Sequence, residues 1–212
     1  ERFGKKRAQV RGKVCTDEFD WTGENRTYIP LKKMIVYQCH VRGFTKHESS
    51  KVKYPGTFSG LTEKIPYLKE LGINTLFMMP VYDFNEQMTD ETGGLLNKVN
   101  YWGYTRDAFY FSPKAGYGSG NKPVVTEFKE MVHSLHSQGM NLILDMYFEG
   151  KSPEFITRCL RYYAQEYHVD GFHVTSDKMD LEWLRQDPVL AYCKIFGDGY
   201  QADSQGMYME MN

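Results

Sequence analysis

Apolar residues in this chain fall into short unbroken runs, separated by stretches in which they recur every three or four positions. The first run is Met34-Ile35-Val36-Tyr37-Gln38-Cys39-His40-Val41, and others span Asn74 to Val81, Asn141 to Phe148, Val169 to Val174, and Val189 to about Phe196. Runs of this length without polar alternation predict strands covered on both faces, as in a parallel sheet. Between them the spacing is helical. Thr57 to Leu71 sets Leu61, Ile65, Leu68 and Leu71 on one face and meets a stop at Gly72. Val124 to Gln138 turns Phe128, Val132 and Leu135 inward and ends at Gly139. Pro153 to about Tyr167 follows Ser152, an N-cap with proline at the first helical position. A short fourth helix is expected near Leu181 to Gln186. Residues 82–123 form a connection too long to be filler in a compact domain, which points to a functional loop. Residues 1–33 are polar and irregular and read as a linker, with Phe19 and Trp21 as anchors onto a neighbouring surface. Residues 34–212 hold the strand–helix alternation.

Strands alternating with helices predict an α/β fold with parallel strands, either a doubly wound sheet or a (β/α) barrel. No G-x-G-x-x-G follows the first strand and no G-x-x-x-x-G-K-[ST] occurs, so nucleotide-binding versions of the sheet lose support.

Composition narrows the function. A net charge of -1 over 212 residues supplies no basic field for nucleic acid or an anionic membrane, and no apolar stretch is long enough to span a bilayer. The N-terminus is charged, lacks the apolar core of a signal peptide and lacks an initiator Met, so the chain reads as a piece of something longer. None of Cys15, Cys39, Cys159 and Cys193 pair at metal-ligand spacing, and the last three sit in apolar runs. They read as free core thiols of a reducing, cytoplasmic compartment. His133 and His136 stand three apart on a helix without an acidic partner at ligand spacing, so no metal site is expected; nor is any cofactor. His40 reads as a satisfied core or rim histidine, and Glu127, Lys129 and Glu130 as a solvated helix face. Sixteen tyrosines and thirteen phenylalanines suit core packing or carbohydrate stacking equally.

Six ordered segments give the chain a resemblance. Tyr37-Gln38-Cys39-His40-Val41-Arg42-Gly43-Phe44-Thr45 is followed by Gly56-Thr57-Phe58, by Glu63 to Gly72, by Leu76 to Pro80, by Asn100-Tyr101-Trp102-Gly103-Tyr104, and by Glu127-Phe128-Lys129 with His136 and Gly139. Together they resemble glycoside hydrolase family 13, the α-amylase family, in its pullulanase and glycogen-debranching branch. The resemblance implies a (β/α)8 TIM barrel, of which this chain would form about the first five strands, with the site at the C-terminal ends of the strands. It also implies retaining hydrolysis by two carboxyl groups about 5 Å apart. Relatives place the nucleophile at the end of strand four, the acid after strand five, and a third carboxylate after strand seven.

The chain departs from that pattern where the chemistry lies. The strand-four motif D-G-F-R-x-D appears as Asp170-Gly171-Phe172-His173-Val174-Thr175, which puts Thr175 at the nucleophile position. A hydroxyl without an adjacent base is a far weaker nucleophile than a carboxylate. His173 replaces an Arg and loses its permanent charge and bidentate fork. Asp177, two residues on, is a remote substitute. The strand-three motif D-V-V-x-N-H appears as Asp145-Met146-Tyr147-Phe148-Glu149-Gly150, which keeps Asp145 and loses the sugar-binding His. The long segment that relatives carry between strands three and four is missing. Asp198, in Gly197-Asp198-Gly199-Tyr200, is the candidate general acid, although an ordinary turn residue between glycines is the favoured reading.

The resemblance implies that Tyr104 lies under the sugar at the cleavage point, with Trp102 beside it; Asp145, His173 and Tyr200 complete the candidate substrate contacts. Packing of the long loop is the competing role for Trp102 and Tyr104. The function expected is a domain that binds α-glucan or maltooligosaccharide, or regulates its metabolism, without hydrolysis. A genuine debranching hydrolase and a purely structural domain are the alternatives. An arc of five strands would need a C-terminal barrel half, or self-association, to close its edges.

Overall fold

A computed structural model describes residues 18–89, 94–178, 183–184 and 186–197. Nine strands and five α-helices lie among them. In chain order they are β1 (Val36–Cys39), α1 (Val41–Thr45), α2 (Phe58–Thr62), α3 (Ile65–Glu70), β2 (Thr75–Met78), β3 (Tyr82–Phe84), β4 (Gln87–Thr89), β5 (Leu95–Val99), β6 (Ala108–Pro113), α4 (Val124–Ser137), β7 (Asn141–Tyr147), α5 (Pro153–Glu166), β8 (Gly171–Thr175) and β9 (Lys194–Gly197). Five strands form one sheet in the order β1-β2-β7-β8-β9. Every pairing in it is parallel. This is the expected α/β architecture, the first part of a TIM barrel.

The pleat explains why the strands read as unbroken apolar runs. Leu76, Met78, Leu142, Leu144, Met146, Phe172, Val174 and Ile195 share one core with residues of the helices, including Leu61, Leu68, Phe128, Met131, Val132, Leu135, Ile156 and Leu160. On the opposite face Phe77, Ile143 and Phe196 pack together, with Leu31 and Met34 against them. Both faces are therefore covered along β2, β7, β8 and β9, whereas β1 leaves Val36 and Gln38 exposed, against the expectation for its apolar run. Each fully buried Leu or Phe stabilises the fold by about 1.5–3 kcal/mol.

Local chemistry sets the helix ends. Ser152 Oγ accepts from the Phe155 N–H at 3.3 Å, with Pro153 in the first turn, as the sequence predicts. The helix predicted over Thr57 to Leu71 is instead two short ones, α2 and α3, separated at Glu63 and Lys64. Pro66 has no N–H to continue the ladder from α2 and starts α3 instead. Leu71, expected inward, is 51% exposed. The first strand is shorter than its apolar run, because the His40 ring accepts from the Gly43 N–H at 3.0 Å and begins α1. The fifth strand starts at Lys194, after a 3-10 turn over Leu190–Tyr192. The helix predicted near Leu181 to Gln186 lies largely outside the described residues.

Glu127 and Lys129 are buried, which overturns the expected solvated face. Glu127 accepts from Ser59 Oγ at 2.7 Å, from the Ser119 N–H at 2.8 Å and from Ser119 Oγ at 2.7 Å. It thereby ties α2 and the preceding loop to α4. Lys129 pairs with Glu166 on α5 at 2.5 Å.

The N-terminal ends of the strands carry an ionic cluster. His136, fully buried, meets Glu24 at 2.6 Å through Nδ1 and Asp170 at 2.8 Å through Nε2. Asp170 also accepts from the Leu142 N–H at 2.8 Å and faces Arg26 at 3.3 Å. Glu24 meets His168 at 2.5 Å, and Trp21 stacks on that imidazole at 3.9 Å. Burial disfavours the charged form of His136, but the hydrogen bonds and charges of Asp170 and Glu24 outweigh it and raise its pKa above the ordinary value. No described helix is long and apolar enough to cross a membrane.

Candidate functional site

The parallel register places chemistry on the inner face of the sheet, above Phe77, Ile143 and Phe196. Asp145 of β7 is the register partner of His173 on β8, and Tyr147 is the partner of Thr175. Side chains two apart on a strand share a face, so these four residues line the C-terminal end of the strands together. His173 Nδ1 lies 3.0 Å from Asp145 Oδ1. Its ring stands edge-on to Phe77, with centroids 5.8 Å apart.

The other oxygen of Asp145 holds the rim. Tyr104 donates its hydroxyl to Asp145 Oδ2 at 2.5 Å, and its ring meets that of Tyr147 edge-on at 6.0 Å. Tyr104 is 38% exposed and Trp102 53% exposed. The two flank Gly103, whose φ of +91° favours glycine. A Cβ there would stand 2.6 Å from Phe84 and 2.9 Å from Pro80, so the segment is pressed against β3.

A second polar set supports this segment from below. His40 is 5% exposed; its Nδ1 accepts from Gly43, so the proton sits on Nε2, which faces the Tyr101 carbonyl at 3.0 Å and the Tyr117 hydroxyl at 2.9 Å. Burial lowers the pKa of His40, in keeping with this neutral tautomer. Tyr101 stacks on the same imidazole at 4.5 Å, and Trp102 meets it edge-on at 5.6 Å. His40 is thus a satisfied histidine of the rim, as the sequence suggests.

Beyond the strand ends, Glu149 accepts from the Tyr147 hydroxyl and pairs with Arg106. Asp177 lies past the end of β8 and accepts from the Gly150 N–H at 2.8 Å, a bond that holds its carboxyl below the usual range. The structure therefore brings together Tyr104, Asp145, His173 and Thr175, with Trp102 at the edge. Asp198 and Tyr200 lie outside the described residues. Tyr147, Glu149 and Arg106 join the expected residues here. The signal for Tyr147 was its spacing, two residues beyond Asp145 on the same strand. Among the described residues no group of three His, Cys, Asp or Glu side chains is arranged to hold a metal ion.

The family model described as "Alpha amylase, catalytic domain" matches residues 16–204. Among curated proteins, chloroplastic isoamylase 1 of Arabidopsis thaliana is 35% identical, over 74% of this chain and 26% of its own length. A glycogen debranching enzyme of Erwinia tasmaniensis is 27% identical over 92% of this chain and 38% of its own. The isoamylase alignment runs over 208 positions while using 74% of this 212-residue chain, so the relative carries residues where this chain has none. Among solved structures, pullulanase type I from Bacillus subtilis complexed with maltose superposes with a TM-score of 0.71 at 24% identity, over 89% of this chain and 34% of that one. Pullulanase D470A from Paenibacillus barengoltzii complexed with maltotetraose gives 0.68 at 21% identity, over 85% and 37%. These likenesses establish the fold. The chain spans a quarter to two-fifths of the length of the relatives quoted.

Proposed function

The chain belongs to the α-amylase family of glycoside hydrolases, in its pullulanase and debranching branch, and on that premise we propose that it recognises α-glucan without hydrolysing it. The observation that carries this reading is Thr175 at the end of β8, beside Tyr147 and two residues from His173. A retaining mechanism needs a carboxylate there to trap the anomeric carbon. A threonine hydroxyl does not supply one, and the carboxylate nearest in register, Asp145, is held by His173 and Tyr104. Recognition rests on other groups. Tyr104 and Trp102 offer partly exposed rings to the C–H face of a sugar, and Asp145 holds the Tyr104 hydroxyl in place at the rim. The pullulanases of similar fold crystallised with maltose and maltotetraose make maltooligosaccharides the natural probes.

Maltotriose titrated into the protein is expected to bind, and Tyr104→Ala to weaken that binding; identical affinities would remove Tyr104 from the site. Purified protein is expected to release no reducing sugar from pullulan or glycogen. Release that Asp198→Ala abolishes would establish the second reading, a debranching hydrolase, which is favoured by the match to a catalytic-domain model.

Residues 34–212 are read as part of the barrel and 1–33 as an approach segment. A reducing compartment, the cytoplasm, suits the described thiols. Cys39, Cys159 and Cys193 are buried and free. Burial pushes Cys39 up to about 12 and Cys193 up to about 11, and raises Cys159 as well, so all three stay protonated and inert.

A further inference from the structure

The site of Tyr104, Asp145, His173 and Thr175 forms the mouth at the C-terminal ends of the strands, and on its flank a cavity of about 600 Å³ opens where residues 83–85 meet 107–109. It falls within the size range of small-molecule sites. Two elements build it. β3 and β6 pair antiparallel, and Asp83 is the register partner of Phe109. Directly opposed residues of an antiparallel pair share a face, so a carboxylate stands beside the Phe109 ring, which is 54% exposed. Asp107, two residues before Phe109 and exposed, continues the lining, as does Asn85.

The other wall is Lys151. Only five residues, 148–152, join the end of β7 to the start of α5, and Gly150 turns among them with φ of +76°. That short link sets Lys151 Nζ 5.5 Å above the ring of Tyr110 and 6.0 Å from that of Phe155, with the side chain along the cavity. Phe84 separates the cavity from the mouth, because it lines the one and presses on Gly103 in the other.

The chemistry selects a ligand class. Asp83 faces Lys114 at 3.6 Å, so its charge is countered inside the protein. What remains is an exposed aromatic face ringed by carboxylate acceptors, an amide and an ammonium donor. A metal ion would meet Lys151 as a repulsion, and a phosphate would meet exposed Asp107 as one. A neutral ring with an apolar C–H face and hydroxyls around its edge matches all of them. We propose that this cavity is a second, non-catalytic sugar site that holds a glucosyl unit of an α-glucan, separated from the mouth by the Phe84 wall. The proposal rests on the α-glucan reading of the mouth and extends it to a second contact.

Isothermal titration of the whole chain with maltotriose, in the unaltered protein and in Tyr104→Ala, Phe109→Ala and Asp107→Asn, tests it. Phe109 and Asp107 are exposed, so both variants keep the fold, and coincident thermal unfolding checks that. Two sites are expected in the unaltered protein. Phe109→Ala should weaken one of them about tenfold, the loss of one stacked ring, and leave the Tyr104-dependent site alone. If Phe109→Ala and Asp107→Asn both titrate like the unaltered protein while Tyr104→Ala loses binding, the flank site is overturned and the mouth reading stands. If Tyr104→Ala is silent and Phe109→Ala abolishes binding, the flank site stands and the mouth reading falls. No heat of binding in the unaltered protein overturns both.

Discussion

A carboxylate–histidine pair sits at each end of the sheet, and the two are built for different work. At the N-terminal end His136 has a carboxylate on both ring nitrogens, and the acceptors Glu24 and Asp170 are bound in turn to His168, Arg26 and the Leu142 amide. Every contact there joins parts of the fold: the approach segment, α4 and the start of β8. At the C-terminal end His173 meets Asp145, and Asp145 spends its second oxygen on Tyr104 at the partly exposed rim. Closed ionic networks hold elements together, whereas a pair with a branch to solvent-facing rings positions groups for a ligand.

The largest effect that would test this contrast is at the base. Asp170→Asn removes one of the two carboxylates on buried His136 and the charge facing Arg26, and should destabilise the protein by about 3–5 kcal/mol in urea unfolding. A loss under about 1 kcal/mol would show the base to be no more structural than the rim. Next, Asp145→Asn keeps the size and an acceptor for His173. It should change unfolding free energy by less than about 1 kcal/mol, yet lower maltotriose affinity about tenfold by weakening charged hydrogen bonds. If stability falls as far as at the base, the rim pair is a fold element and the contrast fails.

The smallest effect lies in the pH dependence of stability. The folded-state pKa of His136 is raised above the ordinary 6.5. Its contribution is therefore full below pH 6.5 and is lost as pH rises from 6.5 through the raised value. Unfolding free energy should decline over that interval, and the decline should shrink in Asp170→Asn, which removes one source of the shift. A pH-independent plateau from 6.5 upward in both proteins would deny His136 its charge.

Four of the five parallel strands are legible because burial on both faces leaves runs such as Asn141 to Phe148 with little polar interruption; β1 carries such a run although Val36 and Gln38 are exposed. The ribbon of β3 and β6 is not legible, because the polar residues around it give the whole of 82–123 the character of a loop. Glu127 and Lys129 read as a solvated face because charge pattern along a helix cannot reveal distant partners. Ser59 lies 68 positions from Glu127, and Glu166 lies 37 from Lys129. The same limit hid the base cluster, in which Glu24 and His136 are 112 positions apart. At the site the residue types at 104, 145, 173 and 175 were legible one by one from motif positions. Their pairing was not, because it depends on the register that sets Asp145 beside His173 and Tyr147 beside Thr175.

The short link between β7 and α5 bears on how the chain finds its shape. Closing a loop costs entropy that grows with its length, and here few residues must be confined before Ser152 can start a helix over the strand just formed. The sequence from β7 through α5 to β8 is thus a locally connected unit with a low ordering cost. β7 is also bordered by a strand on each side. The amides of β7 would then belong to the last part of the molecule to open, where backbone protons exchange with water only through unfolding of the whole domain. The carboxylate of Asp145 is mounted on that strand.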